Sequence, residues 1–233
     1  MAVLAYTNQG LKEHSLNTMG IALRYSDNHY SEACVSRMNS ALKKRSFFPS
    51  DFTEMVKIAA GLHDIGKGAD HYQEQFWKNS HVKPSFYLHE VPSAVIAKRL
   101  MESAGYDSDQ VFLVSIAILF HHTAMRPFDQ QETCLKSLKK DWSFSRHRTD
   151  LDELSSNVLN TKFTLNRIGL EDAKSFMDWI KRVASNSEKS RLAKLYCLIA
   201  TPMIYGDNID AKSRDGNVRK SRFMEELEET IDV

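Results

Sequence analysis

The sequence lacks the features that mark several large classes of protein. Its three cysteines, Cys34, Cys134 and Cys197, are isolated and form no Cys-x-x-Cys pair, so neither a disulfide framework nor a thiolate zinc site is indicated. No apolar run approaches the roughly 20 residues of a membrane span. The N-terminus has neither the basic start nor the long apolar stretch of a signal peptide. We therefore expect a cytoplasmic protein that does not contact a membrane.

An excess of charge of either sign is also missing. The chain has 31 Lys and Arg residues against 30 Asp and Glu residues, a net charge of +1, so its composition does not indicate a nucleic-acid binder. Contact with DNA or RNA would then have to come from local basic patches. The candidate patches are Lys43-Lys44-Arg45, Lys136 with Lys139-Lys140, Arg146 with Arg148, and Arg214 with Arg219-Lys220 and Arg222.

Linkers, repeats and strand-forming patterns are scarce as well. Only 9 Gly and 5 Pro occur, no segment repeats, and alternating β-branched runs are nearly absent. Apolar residues instead recur at helical spacing along most of the chain, which predicts an all-α protein. A length of 233 residues fits one domain, 1–233.

The helical periodicity falls into separate segments. The expected helices cover about 12–42 with a break near Asp27-Asn28, 52–62, 70–78, 89–105, 109–120, 171–183 and 188–210. The segment 125–170 is less regular and more polar, and we interpret it as an insertion with one or two helices. A charged helix over 219–231 is expected within a C-terminal tail, 212–233.

The apolar segment 52–62 leads into Gly61-Leu62-His63-Asp64-Ile65-Gly66-Lys67. Neutral imidazole and ionised carboxylate are two of the main ligand types for divalent metals. Five of the nine histidines lie at the start or end of predicted helices, where packing can bring them to one edge of a bundle. They are His14, His63, His89, His121 and His122.

Adjacent residues on a helix project about 100° apart, so His63-Asp64 and His121-His122 can straddle a site and touch two metals. Aspartate adds negative charge and a second oxygen that can bridge. We choose Asp64 and Asp207 for this role, with Asp210, one turn away, as an alternative to Asp207. The other four histidines lie in polar surroundings, and we expect them at the surface. They are His29, His71, His81 and His147.

The His-Asp-Ile-Gly-Lys motif, with an upstream histidine and a downstream aspartate, resembles the HD superfamily of metal-dependent phosphohydrolases. The added His89 before Glu90 and Ser93, and the His121-His122 pair, resemble the HD nuclease domain of the CRISPR-associated helicase–nuclease of type I systems. The resemblance covers about 11–211, although 125–170 contributes no motif. No Gly-x-x-x-x-Gly-Lys-Ser/Thr loop is present, so the chain resembles the stand-alone nuclease, with the helicase on a separate chain.

The resemblance implies an HD-domain helical bundle that holds two divalent metal ions. The implied ligands of the first metal are His14, His63, Asp64 and Asp207, and those of the second are His89, His121 and His122, with Asp64 bridging. It also implies that Lys67 could meet a phosphate oxygen. Two positions depart from the family: Thr123 stands where a Gly often follows the histidine pair, and Asp210-Ala211 stands where the final motif often has Ala-Ser.

The implied activity is endonucleolytic cleavage of single-stranded DNA, or of RNA, in CRISPR interference together with a separate helicase and a guide-RNA surveillance complex. Because imidazole-rich sites favour transition metals, Mn, Co, Ni or Fe is expected rather than Mg alone.

Two classes of alternative stay open: a small-molecule HD phosphodiesterase or nucleotidase, and a non-enzymatic HD fold. An HD phosphodiesterase of cyclic dinucleotides usually follows the histidine pair with an acidic residue and Gly-Tyr-Pro, whereas this chain has Thr123-Ala124-Met125-Arg126-Pro127. A simple HD nucleotidase needs only His, His-Asp and Asp, which would leave three histidines unexplained. A degenerate HD fold acting as a binding module predicts lost ligands, and none of the seven positions is visibly lost.

Overall fold

A computed structural model describes residues 2–43, 47–78, 84–122, 128–138, 140–186 and 189–215. The predicted tail helix at 219–231 and His81 lie outside the described residues, as does most of the first and last basic patches. Among the described residues, none of the helices is both long and apolar enough to span a membrane.

The observed fold confirms the predicted all-α class. The helices are α1 (Leu11–Tyr25), α2 (Asn28–Leu42), α3 (Pro49–Leu62), α4 (Asp70–Lys78), α5 (Glu90–Ser103), α6 (Ser108–Leu119), α7 (Phe128–Ser137), α8 (Arg148–Leu159), α9 (Leu170–Ser185), α10 (Ser190–Ala193) and α11 (Tyr196–Asp215). A 3-10 turn, Ile65–Gly68, separates α3 from α4. Two short antiparallel hairpins pair β1 (Leu4–Tyr6) with β2 (Gln9–Gly10) and β3 (Trp142–Ser143) with β4 (Arg167–Ile168).

Helix α6 lies at the centre of the bundle. Its sequence is apolar nearly all round, and every residue from Val111 to Leu119 is buried against α3, α5 and α11. Its start is fixed by Asp107, whose carboxylate accepts a hydrogen bond of 2.8 Å from the Asp109 N–H and caps the helix. The histidine pair that follows this helix is therefore anchored to the packed core.

The predicted break in the first helical segment is present. Asp27 caps α2 by accepting a hydrogen bond of 2.8 Å from the Tyr30 N–H, which separates α1 from α2. The predicted helix over 188–210 is in fact the short α10 followed by α11, and Pro202 lies inside α11.

Contact between α11 and α1 depends on one glycine. A Cβ atom built on Gly206 would lie 2.5 Å from the carbonyl oxygen of Thr18 in α1, so a larger residue would force the two helices apart. This approach brings Asp207 and Asp210 of α11 against His14 of α1.

The described residues of the segment 125–170 include two helices, α7 and α8, as expected, together with the β3–β4 hairpin. It is an integral part of the core: α8 packs on α3, and Trp142, Phe144 and Phe163 are almost fully buried. The N-terminal hairpin was not predicted, because strands of two and three residues carry no alternation that a sequence pattern can register. It is held by Gln73, whose side-chain amide bonds the backbone N–H and carbonyl of Leu4 at 2.9 Å each.

Candidate metal centre

The structure brings all seven predicted metal ligands to one end of the bundle. His14 lies in the first turn of α1, His63 and Asp64 follow α3, and Asp207 lies in α11. His89 immediately precedes α5, while His121 and His122 follow α6. Five of the seven are buried, and only His122 and Asp207 are partly exposed.

His14, His63 and Asp207 form what we call the first ligand group. Their ligating atoms lie within 4.8 Å of one another. Asp207 Oδ1 is 3.3 Å from His14 Nε2 and 3.7 Å from His63 Nε2. Two imidazole nitrogens and a carboxylate oxygen thus point into one space of the size that a divalent cation needs.

His89, His121 and His122 form the second ligand group, whose ligating nitrogens also lie within 4.8 Å of one another. The His89 ring is 5.3 Å from that of His121 and 5.2 Å from that of His122, measured between centroids. This group holds three imidazoles and no carboxylate of its own.

Asp64 lies between the two groups and turns one oxygen to each. Its Oδ2 atom is 3.0 Å from His14 Nε2 and 3.4 Å from His63 Nε2. Its Oδ1 atom is 2.8 Å from His89 Nε2 and 3.8 Å from His121 Nε2. One carboxylate can therefore serve both groups at once.

Four histidines are oriented by a hydrogen bond on the outer edge of the ring. His63 Nδ1 lies 2.9 Å from the Ala60 carbonyl, His89 Nδ1 lies 2.7 Å from the Phe86 carbonyl, and His121 Nδ1 lies 2.6 Å from the Ile118 carbonyl. A carbonyl only accepts, so in each ring Nδ1 carries the hydrogen and Nε2 offers its lone pair to the centre. The fourth, His14, is held by a side chain instead.

The inward-facing atoms lack hydrogen-bond partners among the described residues. This is true of Nε2 in His14, His63, His89 and His121, and of Oδ1 in Asp64 and Asp207. Buried polar atoms without partners are costly, and a cluster that converges on one point is what bound cations would satisfy. The donor set, imidazole nitrogen with carboxylate oxygen, fits divalent transition metals.

Gly66 and Ser93 explain how the motif after α3 meets α5. A Cβ atom built on Gly66 would lie 2.5 Å from the carbonyl oxygen of His89, which only glycine allows. The Gly66 N–H donates to Ser93 Oγ at 2.9 Å. This contact fixes the distance between the His63-Asp64 pair and His89.

The two groups differ in the pKa values of their histidines. Burial favours neutral His14, but the neighbouring carboxylates of Asp207, Asp210 and Asp64 raise its pKa to about 11. In the second group, burial and the charge of neighbouring histidines lower the pKa of His122 to about 4 and hold that of His121 well below its usual range. Burial alone would raise the pKa of Asp64, yet His63, Lys67 and His89 keep it well below the ordinary value.

Lys67 is buried rather than exposed at a helix end. Its ammonium lies 2.5 Å from Asp64 Oδ2, and it also faces the rings of Tyr6 and Phe86 at 4.5 Å and 5.0 Å from their centroids. The side chain is therefore part of the centre, and Asp64 raises its pKa against the effect of burial.

Asp210 lies on the opposite edge of the His14 ring from Asp207. Its Oδ2 atom is 2.7 Å from His14 Nδ1, whereas Asp207 faces Nε2. Of the two aspartates considered for the last ligand, Asp207 points into the centre. Asp210 instead contacts the outer nitrogen of the His14 ring. The contacts of Asp210 with Gln9 and Asn17 were not predicted, and no local pattern indicates them.

The prediction for the remaining histidines was wrong at one position. His147 is buried and lies 5.6 Å from Trp77 between ring centroids, although its neighbours in sequence are polar. His29 is exposed and His71 is half-buried. In the basic patches, Arg146 is paired with Glu74 at 3.0 Å, so part of that charge is neutralised.

Comparison with known proteins gives one family and several relatives. The family model described as the HD domain matches residues 11–154. The chain is 28% identical to a CRISPR-associated endonuclease Cas3-HD of Saccharolobus solfataricus, over 96% of this chain and 94% of the relative. It is 26% identical to the protein of that name from Methanocaldococcus jannaschii, over 98% and 95%.

A solved structure has a similar fold. The CRISPR-associated Cas3 HD domain protein of Methanocaldococcus jannaschii superposes with a TM-score of 0.64 at 20% identity, covering 87% of this chain and 99% of that one. At this identity the likeness concerns the fold.

Proposed function

The chain belongs to the HD domain family, and from that premise we propose that it is a metal-dependent endonuclease of CRISPR interference that hydrolyses phosphodiester bonds in single-stranded DNA. The observation that carries the proposal is the position of Asp64, with one oxygen toward each ligand group. The relatives named Cas3-HD are endonucleases by name, which supports a nucleic-acid substrate.

The two ligand groups would each hold one divalent cation, and Asp64 would offer one oxygen to each. Bound there, the cations would activate a water for in-line attack and neutralise charge on the phosphate and on the leaving oxygen. The predominance of imidazole favours Mn, Co, Ni or Fe over Mg. Protein residues then need not include a separate general base.

The side chains of the centre orient the ligating atoms and balance their charges. Backbone carbonyls keep three histidines with Nε2 inward, and Asp64 fixes the separation of the two groups. Lys67 neutralises part of the charge of Asp64, and its ammonium would also be offered to a phosphate oxygen of the substrate. His122 and Asp207 are the partly exposed ligands, so the substrate reaches the centre from their side.

The chain's near-neutral charge bears on how it meets DNA. With a net charge of +1, the chain as a whole offers little long-range electrostatic attraction for a long polyanion. A helicase on a separate chain, acting with a guide-RNA surveillance complex, would supply single-stranded DNA directly to the centre. RNA is the alternative nucleic acid, and it is tested in the same assay.

The experiment uses circular single-stranded DNA, which only an endonuclease can open. Wild type, Asp64→Ala and His29→Ala are incubated with Mn²⁺ and, separately, with chelator; His29 is an exposed histidine outside the centre. Cleavage by wild type and His29→Ala, but not by Asp64→Ala or with chelator, is the expected result. If the circle stays intact while metal is bound, the proposal fails, and RNA, cyclic dinucleotides and nucleotides are then tested on the same site.

A further inference from the structure

His14 differs from the other buried histidines of the centre in what holds its outer nitrogen. His63, His89 and His121 each face a carbonyl three residues earlier. The carbonyls of Ala60 and Ile118 lie in the last turns of α3 and α6, where the carbonyls have no partner four residues on within the helix. His14 instead lies in the first turn of α1, where the carbonyls bond to the next turn of the helix. It needs an acceptor from elsewhere.

Asp210 supplies that acceptor and is itself fully engaged. Its Oδ2 atom accepts from His14 Nδ1 at 2.7 Å and from Gln9 Nε2 at 2.9 Å, and its Oδ1 atom accepts from Asn17 Nδ2 at 2.9 Å. The side chain is only 2% exposed. The donors come from β2 and α1 and the acceptor from α11, so three elements meet at one buried carboxylate.

We propose that Asp210 is a positioning residue for the metal centre, which fixes His14 with Nε2 toward Asp64 and Asp207 while Gln9 and Asn17 fix Asp210. The inference rests on the proposed metal centre. A carboxylate behind a ligating imidazole sets the tautomer and ring orientation and makes the imidazole a better ligand. Asp210 does this for the first ligand group alone. In the described part of the chain its carboxylate bonds His14, Gln9 and Asn17, and none of these belongs to the second group.

Two substitutions separate the hydrogen bond from the charge. Asp210→Asn keeps the size and one acceptor oxygen for His14 but loses the negative charge, and Asn17 can turn its amide to match. Asp210→Ala removes the acceptor altogether. Asp70→Asn is the matched control, because Asp70 is a buried aspartate that accepts hydrogen bonds from Ser143 and Ser145 outside the centre.

The measurement is calorimetric titration with Mn²⁺ of the 233-residue protein, after its metal and the chelator have been removed, together with the visible spectrum of Co²⁺ bound in place of Mn²⁺. Outer-sphere partners of this kind change metal affinity by about 10- to 100-fold. We expect Asp210→Ala to weaken one of the two cations by that factor and to change the Co²⁺ spectrum, while the other cation is unaffected. Asp210→Asn should fall between Asp210→Ala and wild type, and Asp70→Asn should match wild type.

Further variants test whether the effect passes through His14. In the His14→Ala background, Asp210→Ala should add little further loss for that cation, because the imidazole it positions is gone. Unchanged Mn²⁺ affinity in Asp210→Ala would overturn the inference, as would equal weakening of both cations. If Asp210→Ala does not fold, as judged by circular dichroism, Asp210→Asn carries the test alone.

The readout separates this inference from the proposed function. Wild type that binds two cations but cleaves no DNA would contradict the nuclease while leaving the role of Asp210 open to the titration. Wild type that binds no cation would contradict both.

Discussion

In the first ligand group, two histidines face the carboxylate of Asp207 and one of them is supported by Asp210, whereas in the second group three histidines face one another. The electrostatic consequences are opposite. Neighbouring carboxylates raise the pKa of His14 to about 11, and burial with positive neighbours lowers that of His122 to about 4. A cation that binds His14 must therefore displace a proton, while His121 and His122 of the second group already offer neutral nitrogens.

This contrast shows how much depends on the one carboxylate between the groups. The second group has no acidic ligand except the Oδ1 atom of Asp64, and the first uses the Oδ2 atom of the same residue. The two cations of the proposed centre would thus share one acidic side chain, although the histidines of each group are held independently by their own elements.

The largest effect expected is that of Asp64→Asn, which removes what the two groups share. The amide has no negative charge and only one acceptor oxygen, so we expect weaker binding of both cations and Mn²⁺-dependent cleavage no faster than with chelator. Titration with Mn²⁺ and the circular-DNA assay measure these effects, with His29→Ala as the control. Loss of only one cation would show that the carboxylate serves one group.

Lys67→Gln should separate binding from catalysis. The ammonium lies 2.5 Å from Asp64 Oδ2, so its removal frees that oxygen and should tighten a cation in the first group. Loss of a charge that meets the phosphate should lower the cleavage rate, by roughly 10²-fold. Parallel titration and rate measurements test this pair of opposite changes, and Lys67→Arg, which keeps the charge, is the control. A variant that loses metal and activity together would assign Lys67 a purely structural role.

The choice of metal also distinguishes the two ligand groups, because only the second group consists of imidazoles alone. We expect cleavage to be several-fold faster with Mn²⁺ than with Mg²⁺ at equal concentration, since nitrogen ligands suit transition metals and Mg²⁺ prefers oxygen. Rates measured in each metal after complete chelation and reloading decide the point. Equal or faster cleavage in Mg²⁺ would count against the assignment of the second group.

Helix positions and the seven centre residues were accessible from the sequence because both depend on local signals. Apolar spacing and glycine marked α4 at its observed bounds, Asp70–Lys78, and histidines placed next to helix ends indicated a shared site. These signals can be read from the sequence because the ends of a helix are set by residues near in sequence.

Long-range packing decided what the sequence could not show. Asp207 and Asp210 are the same residue type one turn apart, and only the approach of α11 to α1 shows which of them faces Nε2 of His14 and which faces Nδ1. His147 has polar neighbours in the chain but is buried beside Trp77, a contact that no local pattern contains. The N-terminal hairpin that delivers Gln9 is too short to leave a periodic trace.

The smallest effect expected is on the stability of the chelated protein, and it has opposite signs in the two groups. The folded pKa of His14 is raised, so its contribution is complete below the unfolded value of about 6.5 and is lost as pH rises toward about 11. The pKa of His122 is lowered in the folded protein. Between about pH 6.5 and pH 4 the unfolded chain therefore binds a proton at this histidine that the folded protein does not bind. Stability falls as pH drops through this range.

Thermal unfolding of chelated wild type, His14→Gln and His122→Gln between pH 5 and pH 9 would reveal the difference. The slope per histidine is at most about 1.4 kcal/mol per pH unit, or roughly 3–6 °C in a chain of this size. The difference in melting temperature between wild type and His14→Gln should shrink as pH rises above 6.5. Wild type should also become less stable relative to His122→Gln as pH falls below 6.5. Parallel curves for both variants and for His29→Gln would mean that the two groups share one electrostatic environment, and the contrast between them would be wrong.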